Sequence, residues 1–507
     1  MMAKMRRRTL FHFAIALAWV SLASGCGGET PVARKPVEQP PAEHPRAASA
    51  SQPAKPKPSV VAPTVAPDLT AKVSPLASPP ATASEPAPAS PTQKAAVAAP
   101  APPPIDDERV AAQGIHKLAS KHLTLYTDLP LDDEVKALPD AFDQAYPQWR
   151  AYVGLAGREA APWHVVGRLM NDEAKFRAAG LLPDDLPEFP NGYTRDNEIW
   201  WREQQSAYYR RHLMLHEGTH SFMYAHFGTC GPAWYMEGLA ELLGTHSFAG
   251  GKVKLDVFPV NRDDVPYWGR VKLVRDDIDA GRTLSLEQVL RLEPGLYSTV
   301  ESYGWCWATA AFLDGHPRYR ERFRRLPAEL QNPDFNARVK AAFASDWSDL
   351  NEEWQCFTAD LEYGYDLERN VIEFAPGEPL SAGGAQVNVA VERGWQATGL
   401  RLEAGKTYRL AASGRFQIAS KPRVWRCEAN GITIRYHGGR PLGMLLAAVH
   451  PEPYDAACIS SFLSPIEIGL GAEWTPTESG TLYLRINDSP AELADNAGSL
   501  QVQVSAE

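Results

Sequence analysis

The sequence has few cysteines and few long apolar segments. Only six of its 507 residues are cysteine, and none is spaced like the ligands of a zinc knuckle. One apolar run stands out, at residues 10–22, and it is too short to span a bilayer as a stable helix. No other segment has the pattern of a membrane span. These absences exclude a cysteine-based zinc module and a protein that crosses the membrane several times.

Residues 29–104 lack any hydrophobic periodicity. This stretch holds 20 of the 43 prolines and is otherwise mostly alanine, serine and valine. Such a composition cannot bury enough apolar surface to offset the conformational entropy of folding. A proline-rich chain extends by about 3 Å per residue, so the segment can serve as a long tether or simply as a spacer. Roughly 400 residues remain for folding, which corresponds to two or three domains.

Positive charge is scarce in the part that folds. Residues 1–104 carry 11 basic and 5 acidic side chains, whereas the remainder carries 40 basic and 56 acidic ones, a net charge of −16. Hydrophobic residues make up 44% of the chain, enough for sizeable cores. Because an acidic surface repels polyanions, this charge argues against nucleic acid as a partner and against a wide basic face for membrane binding.

The N-terminal residues have the pattern of an export signal. A basic segment precedes the apolar run, which ends in Leu-Ala-Ser-Gly before Cys26. Small residues ahead of a single cysteine resemble the lipobox of bacterial lipoproteins, although the leucine stands one position further back than usual. The resemblance implies an exported protein, lipid-anchored through Cys26 to the bacterial cell envelope, in the periplasm or at the cell surface. An ordinary secretory signal with a chance cysteine is the alternative.

A metal-binding pattern lies in a strongly helical segment, residues 206–227. His216 and His220 are four residues apart, so both rings lie on one helical face and can reach one ion. Glu217 stands beside that face, where it can accept a proton from an attacking water. This is the general-base role that the pattern requires.

A site with two histidines needs a third protein ligand, and the next predicted helix supplies one. Glu237 follows His220 by 17 positions, and a turn at residues 228–231 allows the second helix to fold back along the first. Two histidines and one carboxylate leave a fourth position for water, as in catalytic zinc sites. Glu241, one turn further along the same face, is expected to accept the free N–H of a ligand imidazole.

The sequence HEGTH, followed by WYMEGLAE, resembles the gluzincin metallopeptidases, and most closely their peptidase-MA-like branch with its E-G-x-A-E second motif. Residues 115–365 carry the resemblance. It implies an α+β fold, in which a small mixed sheet packs on the active-site helix and a helical lobe follows. It also implies zinc bound by His216, His220 and Glu237, with Glu217 as the general base.

The transition state of peptide hydrolysis also needs a hydrogen-bond donor for its developing oxyanion. Gluzincins commonly take this donor, a tyrosine or a histidine, from the helical lobe. Tyr303, placed just before a helical run at residues 306–313, is the candidate, and aromatic packing at a helix entry is the alternative. His212 is expected to form a local hydrogen bond, His226 and His246 are expected to be surface or packed histidines, and none of the three is expected to be a ligand.

Helical periodicity stops after about residue 370. Beyond it, five apolar segments are punctuated by Gly and Pro turns, a spacing that indicates an antiparallel β-sandwich. The five predicted strands are residues 386–391, 407–412, 431–436, 481–486 and 499–504.

The last predicted hairpin is rich in Asp and Asn. Its loop, residues 487–498, places four Asx side chains at its two ends, and such oxygen donors suit Ca²⁺. Residues 385–505 resemble the calcium-dependent bacterial galactophilic lectins, including an N-D, six residues, D-N-x-G-S pattern. The calcium ligands that the resemblance implies are the side chains of Asp488, Asp495 and Asn496 and the backbone oxygens of Glu492 and Ile418.

In those lectins the bound calcium holds sugar hydroxyls. The corresponding middle stretch here, residues 427–431, lacks the histidine that contacts the sugar, so galactose is not specified by this sequence. The alternative for the loop is an Asx-rich turn that bonds its own backbone.

Together these features predict an exported, lipid-anchored zinc metallopeptidase that acts on peptides or proteins and is targeted by a calcium-dependent, carbohydrate-binding module. The alternative is a catalytically silent glycan-binding protein of the cell surface. The expected cofactors are Zn²⁺ and Ca²⁺. The expected parts are a signal peptide (1–25), a tether (26–104), a gluzincin-like metallopeptidase domain (105–370) and a lectin-like β-sandwich (371–507).

Overall fold

A computed structural model describes residues 13–14, 104–159, 162–266, 269–292, 300–455 and 458–507. Cys26 and nearly all of the predicted signal peptide and tether fall outside these ranges. Within them, none of the helices combines the length and apolar character needed to cross a bilayer. A region of mixed helices and strands, which includes residues 13–14 and otherwise begins at residue 104, precedes a sheet-rich C-terminal region.

The strands of the first region are β1 (Phe13–Ala14), β2 (His116–Ala119), β3 (Leu123–Thr127), β4 (Val165–Met170), β5 (Gly192–Arg195), β6 (Glu198–Arg202), β7 (His246–Ala249) and β8 (Lys252–Leu255). Its helices are α1 (Asp107–Ala112), α2 (Asp133–Lys136), α3 (Leu138–Tyr152), α4 (Glu173–Ala179), α5 (Ala207–Phe227), α6 (Ala233–Gly244), α7 (Gly269–Asp279), α8 (Leu286–Leu290), α9 (Val300–Gly315), α10 (Arg320–Arg325), α11 (Phe335–Ala342) and α12 (Trp347–Ala359).

The main sheet of this region is mixed. Its order is β1-β5-β6-β4-β3-β2, with β3, β4 and β6 parallel and the other pairs antiparallel. The sequence Asn-Gly-Tyr-Thr at residues 191–194 predicts a turn, and this prediction is wrong, because residues 192–195 form β5. Tyr193 and Thr194 lie in β5 and pair with Trp200 and Ile199. The turn falls instead after Arg195, where Asp196 adopts a left-handed backbone with φ of 55°, which Asp tolerates better than most residues.

Helices α5 and α6 are delimited by clear end signals. The Ser206 side chain accepts a hydrogen bond from the Tyr209 backbone N–H at the start of α5, and Gly228, with φ of 73°, ends it. Pro232 precedes α6, every residue of which is buried. A side chain at Gly238 would put its Cβ 2.7 Å from the Cys306 carbonyl oxygen, so α6 packs closely on α9. These contacts hold the two helices that carry the predicted metal ligands.

Two other helix predictions differ from the structure. The amphipathic pattern of residues 134–153 predicts one helix, with Pro139 and Pro147 as the points that can shorten or kink it. The segment forms α2 and α3 instead, with Pro139 in the first turn of α3, where a missing N–H costs little. Tyr303 lies inside α9 rather than just before a helix.

The C-terminal region contains β9 (Glu378–Pro379), β10 (Ala385–Ala390), β11 (Gln396–Leu402), β12 (Tyr408–Ser413), β13 (Phe416–Ala419), β14 (Trp425–Cys427), β15 (Asn430–His437), β16 (Arg440–Pro451), β17 (Ile466–Glu467), β18 (Gly471–Trp474), β19 (Gly480–Ile486) and β20 (Ser499–Ala506). One sheet has the order β10-β20-β12-β18 and another β15-β16-β19-β11-β9, with β17 on β16. Their inner faces share one apolar core. The five predicted strands correspond to β10, β12, β15, β19 and β20.

Strand β16 was missed because it is buried on both faces. Leu445 and Ala447 point into the core between the sheets, whereas Leu446 and Ala448 belong to a second cluster on the opposite face. Such a strand has no alternation of apolar and polar residues, and alternation was the signal used.

Candidate metal centre

Three predicted ligands converge between α5 and α6. The Nε2 atoms of His216 and His220 are 3.0 Å apart, and Glu237 Oε2 lies 3.2 Å from the first and 3.5 Å from the second. Around a tetrahedral zinc ion with bonds of about 2.0–2.1 Å, neighbouring ligand atoms are about 3.4 Å apart. The three atoms are therefore spaced as the protein ligands of one such ion would be, and two imidazoles with one carboxylate are a donor set that zinc accepts.

The charges of this cluster favour a cation at its centre. Burial works to raise the pKa of Glu237, but the adjacent His220 and His216 lower that pKa to about 2. Burial works in the opposite direction on His216, yet hydrogen bonds to Glu237 and Glu241 raise its pKa to about 10. The buried carboxylates thus hold positive charge between themselves and the rings, as a proton or as a metal ion.

Glu217 lies next to the cluster and is fully buried. Thr194 Oγ1 on β5 donates a hydrogen bond of 2.5 Å to Glu217 Oε2. Within the described residues, the other oxygen, Oε1, has no hydrogen-bond partner. Burial raises the pKa of Glu217, partly offset by His216 and His220. The raised pKa makes this carboxylate a stronger proton acceptor than an exposed one.

Strand β5 fits over Glu217 because residue 192 is glycine. A Cβ at Gly192 would stand 2.3 Å from Glu217 Oε1. Neither Gly192 nor Thr194 was identified from the sequence, since both were assigned to a turn. A strand prediction for residues 192–195 would have placed Thr194 in the sheet, but its contact with Glu217 depends on how the sheet packs on α5.

The second predicted carboxylate, Glu241, contacts the ring of His216 from the side opposite Glu237. Its Oε1 lies 3.3 Å from His216 Nδ1, and its Oε2 lies 3.2 Å from His212 Nε2. Arg270 of α7 donates two hydrogen bonds of 2.6 Å to the same carboxylate. No spacing rule pointed to Arg270, because α7 is separated from the motif by two strands and a loop.

Tyr303 lies near the cluster. Its ring centre is 6.5 Å from that of His216, and the side chain is fully buried in α9. His212, expected to form a local hydrogen bond, lies buried with its Nδ1 2.9 Å from the carbonyl oxygen of Gly244, a residue of α6.

The whole cluster is buried. The exposed fraction is 0% for His216 and Glu217, 2% for Glu237 and 5% for His220. A ligand as large as a peptide therefore contacts these atoms only after the covering segments move.

The Asx-rich loop brings two of its predicted residues, Asp488 and Asn496, into contact. Asn496 Nδ2 donates to Asp488 Oδ2 at 2.8 Å, and the Ser420 backbone N–H donates to Asp495 Oδ2 at 2.8 Å. Within the described ranges, Asp495 Oδ1 and Asn496 Oδ1 are buried oxygens that have no hydrogen-bond partner. Burial raises the pKa of Asp488 to about 6. Such oxygens are the donors that a calcium ion takes.

The remaining two predicted calcium ligands lie at the border of this loop. Ile418 is in β13, between Gln417, whose backbone pairs with Ala497, and the segment that contacts Asp495. The side chain of Glu492 forms an ion pair of 2.6 Å with Arg435. Among the described residues, close groups of three His, Cys, Asp or Glu side chains occur only at α5 and α6 and not at this loop.

Comparisons with known proteins do not assign this chain to a family. No family model matches the chain, and no curated protein matches it. Among solved structures, the N-terminal, PllA-like lectin domain of EclA aligns with 24% of this chain and 95% of its own, at 22% identity and a TM-score of 0.18. An IMPa metallopeptidase in complex with T-antigen aligns with 79% of this chain and 44% of its own, at 12% identity and a TM-score of 0.15. At such TM-scores neither similarity carries an argument.

Proposed function

We propose that this chain is a zinc-dependent hydrolase of peptide bonds. The observation that carries the proposal is the convergence of His216, His220 and Glu237 beside the buried carboxylate of Glu217. A purely structural metal site needs the three ligands and has no use for a carboxylate with an unpartnered oxygen next to them.

Each residue has a distinct role in this proposal. His216, His220 and Glu237 bind zinc, which when bound polarises the substrate carbonyl and lowers the pKa of water. Glu217 accepts the proton of the attacking water at Oε1 and returns it to the leaving nitrogen, while Thr194 fixes its other oxygen. Tyr303 is proposed as the donor to the developing oxyanion.

The burial of the cluster favours a second candidate, a glycan-binding surface protein whose metal is structural. A hydrolase must admit its substrate, whereas a silent centre has no such requirement, and all four side chains are at most 5% exposed. The two candidates differ in one measurable property, because only the hydrolase cleaves a peptide when zinc is bound.

The test is metal analysis combined with cleavage of a broad peptide library. We expect about one zinc per chain, cleavage that a chelator stops and added zinc restores, and loss of cleavage in Glu217→Gln with its zinc retained. Glu321→Gln, an exposed glutamate of α10, is the matched control and should cleave like the wild type. Wild-type protein that contains no zinc would overturn both candidates. Zinc-loaded protein that cleaves no peptide would overturn the hydrolase and support the glycan-binding protein with a structural metal.

For the C-terminal region we propose a calcium site at the Asx-rich loop that binds carbohydrate. The support is the pair of buried, unpartnered oxygens on Asp495 and Asn496, adjacent to Asp488. Hydrogen bonding within the loop leaves these acceptors unsatisfied, and a hard cation would satisfy them.

A calcium titration followed by thermal unfolding tests this site. Calcium should raise the unfolding temperature of the wild type, and Asp495→Asn should remove most of that rise. Glycan-array binding should likewise require calcium. Equal binding with and without calcium would discard the lectin proposal, and an unchanged unfolding temperature would indicate an Asx turn that bonds only its own backbone.

The membrane anchor rests on the sequence alone. We propose that the chain is exported and attached through lipid on Cys26, so that the region from residue 105 onward acts at the envelope.

A further inference from the structure

The carboxylate of Glu241 is contacted from two sides by side chains of different elements. We propose that Arg270 is a positioning residue of the metal centre, which fixes Glu241 and, through it, the ring of His216. This inference rests on the proposed function, because it concerns the ligand set of that centre.

Arg270 approaches Glu241 with the geometry of a fork. Its Nε donates to Oε2 and its Nη2 donates to Oε1, both at 2.6 Å. Arg270 is 6% exposed and Glu241 is fully buried. Two parallel charge-assisted hydrogen bonds from a planar guanidinium fix the plane of a carboxylate, which one bond cannot do.

The two carboxylate oxygens each face an imidazole on their other side. Oε1 lies 3.3 Å from His216 Nδ1, and Oε2 lies 3.2 Å from His212 Nε2. Nδ1 of His216 faces Glu241 at ion-pair distance. In the neutral ring that carries its proton on Nδ1, Nε2 keeps a lone pair, and Nε2 is the atom that faces Glu237 and His220. The orientation of the carboxylate plane thus determines the orientation of the ligand ring.

His212 cannot replace Arg270 in this role. Its Nδ1 lies 2.9 Å from the Gly244 carbonyl oxygen, which can only accept, so Nδ1 carries the proton. A neutral imidazole that donates from Nδ1 has a lone pair on Nε2, so Nε2 of His212 cannot donate a hydrogen bond to Oε2 of Glu241. Arg270 is therefore the donor that satisfies Oε2, and it also compensates the buried charge.

The proposal is tested by zinc affinity and by the visible spectrum of the cobalt-substituted protein, measured without substrate. We expect Arg270→Met to weaken zinc binding by about 10- to 100-fold, the range for outer partners of metal ligands, and to alter the cobalt spectrum. Glu241→Gln should have an effect of similar size. Because Arg270 acts through Glu241, the double variant should bind zinc no more weakly than Glu241→Gln alone.

Two further variants separate positioning from general stability. Arg168→Met removes another buried arginine, which pairs with Glu198 at 2.6 Å in the sheet, so it should lower the unfolding temperature and leave zinc affinity and the cobalt spectrum unchanged. Arg270→Lys keeps the charge without the fork, so it should recover only part of the affinity. If Arg270→Met does not fold, the zinc affinity and cobalt spectrum of Arg270→Lys test the proposal instead.

Wild-type affinity and an unchanged spectrum in Arg270→Lys or Arg270→Met would overturn the proposal. So would additive losses in the double variant, because they would show that Arg270 does not act through Glu241. A wild-type protein that binds no metal is a different outcome, which would remove the proposed function itself.

Discussion

At the scale of single residues, the candidate centre depends on the smallest side chain near it. The backbone of β5 passes so close to Glu217 that a Cβ at position 192 would displace the Glu217 carboxylate, and the nearby Thr194 holds that carboxylate. The position of the proposed base is thus set by a strand that contributes no metal ligand.

We predict that Gly192→Ala lowers hydrolysis by about 100-fold while zinc stays bound, because the new Cβ must displace the Glu217 carboxylate by about an ångström. The measurement is the rate of peptide cleavage beside the zinc content. Gly383→Ala is the control, since a Cβ there contacts nothing within 4 Å and its backbone needs no left-handed conformation. Equal activity in the two variants would show that Glu217 is not held by this strand.

At the scale of elements, an acidic pair joins β8, α9 and α10, in which Asp314 is buried and Asp256 is partly exposed. Arg324 of α10 donates to Asp314 of α9 at 2.7 and 2.8 Å and lies 3.0 Å from Asp256, which directly follows β8. The single guanidinium of Arg324 therefore pairs with two carboxylates. Burial and the nearby Asp314 raise the pKa of Asp256 above its usual range.

The raised pKa predicts a stability that depends on pH. The folded chain keeps a proton on Asp256 that the unfolded chain loses at about pH 4. Above that pH the folded chain therefore binds more protons than the unfolded chain. Its free energy of unfolding consequently falls as the pH rises. Asp256→Asn, whose side chain tolerates the φ of 56° at this position, should flatten this fall.

Denaturant unfolding between pH 4 and 8 measures the effect. Asp184→Asn, in which an almost fully exposed carboxylate is replaced, is the control and should keep the wild-type profile. A wild-type free energy of unfolding that rises with pH across this range, with no difference from Asp256→Asn, would contradict the prediction.

At the scale of the whole molecule, α12 connects the mixed region to the sheet-rich region. Glu352 is fully buried and accepts hydrogen bonds from His450 Nε2 at 2.9 Å and Ser460 Oγ at 2.7 Å, both in the C-terminal region. Around it, Phe462 and Tyr483 form an apolar cluster with the segment that follows α12. A polar contact this deeply buried makes the two regions depend on each other for stability.

We predict that Glu352→Ala lowers the free energy of unfolding by about 3 kcal/mol, because it leaves buried partners unsatisfied. The unfolding curve should also separate into two transitions, one for each region, where the wild type shows one. Calorimetry measures both effects, with the exposed Glu403→Ala as the control. Two transitions in the wild type would show that the regions unfold independently.

The sequence alone determined the features that repeat with the period of a helix or a strand. Residues four apart on α5 and on α6 share a face whatever the rest of the fold does, so the grouping of His216 with His220 and of Glu237 with Glu241 followed from spacing. Alternating strands such as β12 and β20 were found for the same reason. The proposed zinc chemistry of the centre follows from these local rules.

Only the tertiary structure decided which distant residues complete the site. Arg270 and Thr194 contact the motif because α7 and β5 pack against α5 and α6, and no local pattern encodes such packing. The burial of the cluster likewise could not be predicted from the sequence, because the exposure of a helix face depends on which other segments pack over it. Periodicity reports which side of an element is apolar, whereas the identity of the neighbour on that side is a property of the whole fold.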